Sequence, residues 1–151
     1  MSKKDKSKAM NLTNIRESID SIDTQIQSLI NQRAELAKNI GLSKKKNGIS
    51  TDFYRPEREA EVLRSVLERN QGPLKDEEMV RLFREIMSAC LAQQEPLKIG
   101  FLGPEGTFTQ GAVYKHFGHS VRALPYGAID EVFHEVESHS ADFGVVPIEN
   151  S

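Results

Sequence analysis

From Ile15 to Ile40, apolar residues recur at alternating steps of four and three: Ile15, Ile19, Ile22, Ile26, Leu29, Leu36 and Ile40. Such a seam dictates one long helix whose stripe must be covered by a packed core or by a partner helix. Arg33 stands where the seam requires an apolar residue. Burying an unpaired guanidinium there would be costly, so an anionic partner is expected inside a helical bundle. The violation points to a binding site rather than a simple coiled coil.

The chain has 151 residues, enough for one ordinary domain or for one small domain plus part of another. Its formal net charge of −2 does not suggest a nucleic-acid partner. One cysteine, Cys90, excludes an internal disulfide and fits a reducing compartment. The lysine-rich start has no apolar stretch behind it, so residues 1–10 read as a disordered basic tail rather than a secretory signal. No run approaches the roughly 20 apolar residues of a membrane span, and a cytoplasmic protein is expected. Charge and period both change near residues 94–97, where Pro96 sits. Residues 1–96 hold 17 of the 20 Lys+Arg and 15 of the 22 Asp+Glu, whereas residues 97–151 hold 3 and 7 and all four histidines.

Helix one is expected from Asn14, with Glu17 in capping-box spacing, to Lys46, where Asn47-Gly48 ends it. Roughly 33 residues make a rod about 50 Å long, which overhangs any core that two shorter helices could supply. A dimer sharing the long helices solves that problem. Pro56 opens helix two, which runs to Asn70, and Asp76 caps helix three, which carries Met79, Val80, Leu82, Phe83, Ile86, Met87, Cys90 and Leu91 and ends at Gln94. Lys44 lies eleven residues beyond Arg33, within about 20° of the same face. Arg16 points off the seam, toward a neighbouring subunit. Arg58 and Glu59 open helix two, and Gln94 follows Cys90 on one face. Such a set of cations, one carboxylate and one amide suits a small dianion carrying a hydroxyl. Taken singly, each except Arg33 also reads as a surface residue, and Arg33 also reads as half of a buried ion pair.

The segments LTNIRESIDSIDTQIQSLINQRAELAKNIGLSKK, YRPEREAEVLRSV and MVRLFREIMSACLAQQ resemble the all-helical chorismate mutase domain over residues 11–95. The resemblance implies an all-α three-helix domain in an intertwined homodimer, with chorismate as substrate and two sites built from both protomers. It implies that Arg16 reaches a substrate carboxylate from the partner subunit and that Arg33 binds the other carboxylate within its own protomer. Lys44 and Gln94 then contact the ether oxygen whose bond breaks, and Arg58 and Glu59 are the pair at the start of helix two, the glutamate taking the ring hydroxyl. Cys90 replaces a common hydroxyl residue, and Arg55 a frequent aspartate. The pericyclic conversion to prephenate needs no cofactor, metal or nucleophile. It needs the dianion held in its reactive form and charge stabilised on the ether oxygen.

Beyond Pro96 the pattern is strand, glycine loop and helix: Lys98 to Leu102, then Gly103 to Gly106, with Thr107 as the helix cap. A strand over residues 120–125, a helix over 128–137 and a strand over 142–148 complete a βαβαβ order, which implies a parallel sheet. The loop is neither a Walker A motif nor a clean dinucleotide fingerprint, and the histidines read as surface residues.

GPEGTFTQGA and ADFGVVPIENS resemble the opening motifs of prephenate dehydratase. Residues 97–151 are thus expected to be an incomplete α/β lobe of periplasmic-binding-protein type, with Thr107, Asn150 and Ser151 lining its cleft and Glu149 nearby. The family's Thr-Arg-Phe segment, its second lobe and its regulatory domain are not among these residues, so no dehydratase activity is expected from them. Mutase followed by dehydratase matches the bifunctional enzymes of phenylalanine biosynthesis, whose full length also turns prephenate into phenylpyruvate. Two alternatives stay open: the helices are only a dimerisation module around a buried Arg33 ion pair, or they serve as the dimeriser of a dehydratase. The sequence leaves open whether the lobe folds, and whether it destabilises the dimer or trails from it as a disordered segment.

Overall fold

A computed structural model describes residues 3–48 and 54–148, the first eight of these by backbone alone. The chain divides into two compact units, Met1–Arg33 and Ala34–Ser151. Helix α1 (Lys3–Lys46) runs through both. It begins well ahead of Asn14, and helical backbone occupies the segment expected to be a disordered tail. The lysines, alanine and methionine there are good helix formers and nothing breaks the chain before Asn14. Within this chain the seam is uncovered. Ile15, Ile19, Ile22, Ile26, Leu29, Leu36 and Ile40 are each 48% to 64% exposed, so the apolar stripe of the helix has no packing partner among the described residues.

The second unit adds α2 (Pro56–Arg69) and α3 (Asp76–Leu91), which pack on one another around Val66, Met87 and Cys90. Pro56 takes the first-turn position, where its missing N–H is not needed. Asp76 does not cap α3. The cap position falls to Lys75, and the Asp76 carboxylate instead accepts a 2.7 Å hydrogen bond from the Asn70 side chain, tying the two helix ends together.

The α/β part is a three-stranded parallel sheet in the order β2-β1-β3, built from β1 (Lys98–Leu102), β2 (Arg122–Tyr126) and β3 (Phe143–Val145). Lys98 pairs with Arg122 and Ile99 with Phe143. Helices α4 (Phe108–Phe117) and α5 (Ile129–Glu137) are the crossovers that parallel strands require. Ile99 and Phe101 on the central strand are fully buried, as is Val113 of α4.

The lobe does not trail from the helices. Tyr54, just before α2, is buried in the lobe's core against Phe117 (ring centroids 5.9 Å apart) and edge-on to Phe143 (5.2 Å). One face of α3 meets the turn between α4 and β2. The Arg84 guanidinium donates to the His116 carbonyl (2.9 Å), and Glu85 accepts from the His119 backbone N–H (3.0 Å) and contacts its ring Nδ1 (2.6 Å). The Ser88 hydroxyl accepts from the Ser120 N–H (3.2 Å). Gly118 makes this approach possible. It has φ of +78°, and a Cβ there would lie 2.4 Å from Ser88 Cβ.

Candidate active site

The first unit carries Arg16, which is exposed, and Arg33, which is half-buried although its seam neighbours are exposed. The other four expected mutase residues lie in the second unit. There the end of α1 meets the turn after α3. Gly41 is buried, and a Cβ on it would lie 3.0 Å from Gln94 Cγ and 3.1 Å from Gln94 Cβ. Lys44 is three residues further along the same helix, close to one turn, and is half-buried. Helix α3 ends at Leu91, so Gln94 stands in the turn beyond it rather than on the helix, its N–H bonded to the Leu91 carbonyl at 2.9 Å. Its amide oxygen is buried with no hydrogen-bond partner among the described residues. Such an orphan costs about 1–3 kcal/mol unless something supplies the missing bond, and it is the kind of cost a binding site retains for its ligand.

Helix α2 separates the expected pair. Glu59 is half-buried, and burial pushes its carboxyl above the ordinary glutamate value while the nearby Arg84 guanidinium opposes that rise. Arg58 is exposed and its guanidinium is engaged with Glu61 one turn on (3.0 Å), so reaching a ligand would require it to leave that pair. Arg55, at the position expected to depart from an aspartate, forms an exposed pair with Glu57 (3.0 Å).

Two residues near Glu59 are absent from the sequence-based set. Tyr54 has its phenol pushed up to about 12, by burial first and by the Glu59 carboxylate second, with Arg84 acting the other way. Arg84 is the cation that both groups feel. The available signal was a polar pair at i and i+4, Arg84 and Ser88, on a helix otherwise rich in apolar residues.

In the lobe, Thr107 occupies the N-cap position of α4, but its hydroxyl makes no cap bond. It is instead buried without a partner among the described residues, beside an open depression of about 650 Å³ lined by Gly106, Thr107, Phe108, Gly111, Ala112 and Lys115. Glu149, Asn150 and Ser151, the other expected cleft residues, lie outside the described residues. Among the described residues no group of His, Cys, Asp or Glu could hold a metal ion, and no helix is long and apolar enough to cross a membrane.

Three helices precede the α/β lobe, and comparison with known proteins identifies both parts. Residues 15–95 match the family model of chorismate mutase type II, and residues 99–151 that of prephenate dehydratase. The chain belongs to the chorismate mutase type II family. It is 53% identical over 148 residues to a bifunctional chorismate mutase/prephenate dehydratase from Stutzerimonas stutzeri, covering 96% of this chain and 40% of that one. To its counterpart in Pseudomonas aeruginosa it is 51% identical over 154 residues, covering 100% and 41%. It thus spans about 40% of the length of these curated relatives. Among solved structures, a chorismate mutase from Thermus thermophilus (form II) superposes with a TM-score of 0.52 at 32% identity, covering 56% of this chain and 94% of that one.

Proposed function

We propose that this chain rearranges chorismate to prephenate, as a homodimer. The observation that carries the reading is the Gln94 side chain, packed against Gly41 on the turn of α1 that leads to Lys44, so that an amide N–H donor and a lysine fall at one end of that helix. In this reading Lys44 and the Gln94 side-chain N–H donate to the ether oxygen as its bond to carbon lengthens and the new carbon–carbon bond forms. No atom is gained or lost, and two donors preset toward the developing charge lower the barrier. Arg33 holds one carboxylate and Arg58 the substrate's anionic face after leaving Glu61, while Glu59 accepts from the ring hydroxyl. The exposed seam on α1 supports the dimer, because covering it with a second long helix removes the apolar stripe from water and brings the partner's Arg16 to the second carboxylate. The bifunctional relatives support a further step in a longer parent, prephenate to phenylpyruvate.

Gln94 supplies the test. An amide donates without a proton equilibrium, so kcat is expected to stay flat from about pH 6 to about pH 8. Gln94→Glu can donate only when protonated, so its activity should survive on the acid side and fall as the pH rises. A steep acid optimum in the unsubstituted chain, or a flat profile in Gln94→Glu, would remove Gln94 from the ether oxygen.

A further inference from the structure

Helix α2 starts with little of its own to hold it. The N-cap residue, Arg55, makes no side-chain cap bond, and Arg55, Pro56, Glu57 and Arg58 are all exposed. The buried residue of α2, Val66, lies about two turns beyond Glu59. Helix starts are often fixed by an apolar residue just before the N-cap that packs on the fourth helical residue. Here that fourth residue is Glu59, a carboxylate, and the residue before the N-cap is Tyr54. Tyr54 packs on the lobe instead. Its ring lies edge-on to Phe143 of β3 (centroids 5.2 Å apart) and 5.9 Å from Phe117 at the end of α4, and those two rings are 5.7 Å from each other. The three rings close a triangle, within a cluster that also holds Ile99, Phe101 and Val113, each 0% exposed. A ring seated in so dry a cluster is fixed by close packing. Arg58 and Glu59 hang from the residue next to it, since both backbone N–H groups donate to the Arg55 carbonyl at 3.1 Å.

We infer that Tyr54 is a positioning residue for Arg58 and Glu59, and that the lobe supplies the aromatic socket that fixes it. The dehydratase-like lobe thereby sets the first turn of α2, and with it one wall of the mutase site, without touching substrate. Gln94 is placed by other contacts, a main-chain bond to Leu91 and packing on Gly41. Loosening Tyr54 therefore weakens the hold on the substrate's anionic face and ring hydroxyl and spares the donors at the ether oxygen. A loss of that kind raises KM and leaves kcat. The consequence for turnover rests on the mutase reading, whereas the lobe's hold on α2 does not.

The experiment reads steady-state turnover of chorismate and, by NMR, amide hydrogen exchange, both in the intact chain well below its melting temperature. Tyr54→Ala should raise KM about tenfold and change kcat by less than about threefold. The amides of Arg58 and Glu59 should exchange about tenfold faster, while that of Val66 keeps its protection. Tyr54→Phe keeps the ring and should restore both readouts. Phe143→Leu alters the socket and no mutase residue, and should shift both in the same direction by a smaller factor. Should Tyr54→Ala fail to fold, Tyr54→Leu, which fills part of the site, should give the same pattern reduced. An unmoved KM, or a loss confined to kcat, overturns the inference. So does a Tyr54→Phe variant as impaired as Tyr54→Ala, because the hydroxyl and not the packed ring would then be at work. Readouts that respond to Tyr54 but not to Phe143→Leu overturn the lobe's part in it. Exchange that shifts as expected in a chain with no turnover overturns the mutase reading and leaves the lobe's hold on α2 standing.

Discussion

At Gly41 the lack of a side chain is what lets Gln94 lie against α1, since a methyl group there would come to 3.0 Å from Gln94 Cγ. Gly41→Ala should therefore shift the amide by a few tenths of an ångström and lower kcat/KM about tenfold. Its melting temperature should hold, because alanine is about 1 kcal/mol the better helix former. Measuring both separates a displaced donor from a damaged fold. At this scale some of the candidate site was legible and some was not. Arg33 and Lys44 announce themselves by breaking or sharing a helical face, and Gln94 by falling one turn past Cys90. Arg84 leaves only a weaker mark, its polar pairing with Ser88 at i and i+4. Its partner is a carbonyl on His116, and a bond to main chain leaves no complementary side chain to be read. Thr107 does stand at the N-cap of α4 as its place in the sequence implies, but its hydroxyl makes no cap bond, which the position alone does not reveal.

Among the elements, α3 carries the most consequence, for it packs on α2 with one face and on the lobe with another. Tyr54 reinforces that joint from the side. Tyr54→Ala should lower the unfolding free energy by about 3 kcal/mol, read as a drop in melting temperature, since it empties an aromatic site between Phe117 and Phe143. The Glu85–His119 contact adds a pH dependence whose sign follows from the carboxyl. Burial tends to raise it, but the side-chain and main-chain bonds from His119 outweigh that and hold it below its ordinary 4.5. A lowered carboxyl stabilises the fold fully above that ordinary value and ceases to do so as the pH falls through the folded one. Thermal stability should accordingly decline below about pH 4.5, and Glu85→Gln should flatten that decline by a small amount, as expected of a largely exposed pair. Helices and strands were legible from period and punctuation. Their joint was not, because Arg84, Glu85 and Ser88 resemble a solvated face until the turn 32 to 34 residues away is brought to them.

For the whole molecule, the exposed seam of α1 is the feature that one chain leaves unfinished. Ile19→Glu together with Ile26→Glu should convert a dimer into a monomer in sedimentation velocity and abolish turnover, since each site would lose the partner's Arg16. A dimer that survives both substitutions would place the interface elsewhere. The heptad pattern made the need for a partner legible, while the packing of the lobe on α3 became apparent only in three dimensions.

The measurement that bears most directly on the central claim is a product assay on the purified chain given chorismate, with Arg33→Leu beside it. Prephenate should accumulate with the unsubstituted chain alone, while both proteins remain folded dimers. A well-folded dimer that leaves chorismate untouched, or an Arg33→Leu variant that gains stability and turns over equally well, would contradict the mutase reading and leave the helices as a dimerisation module.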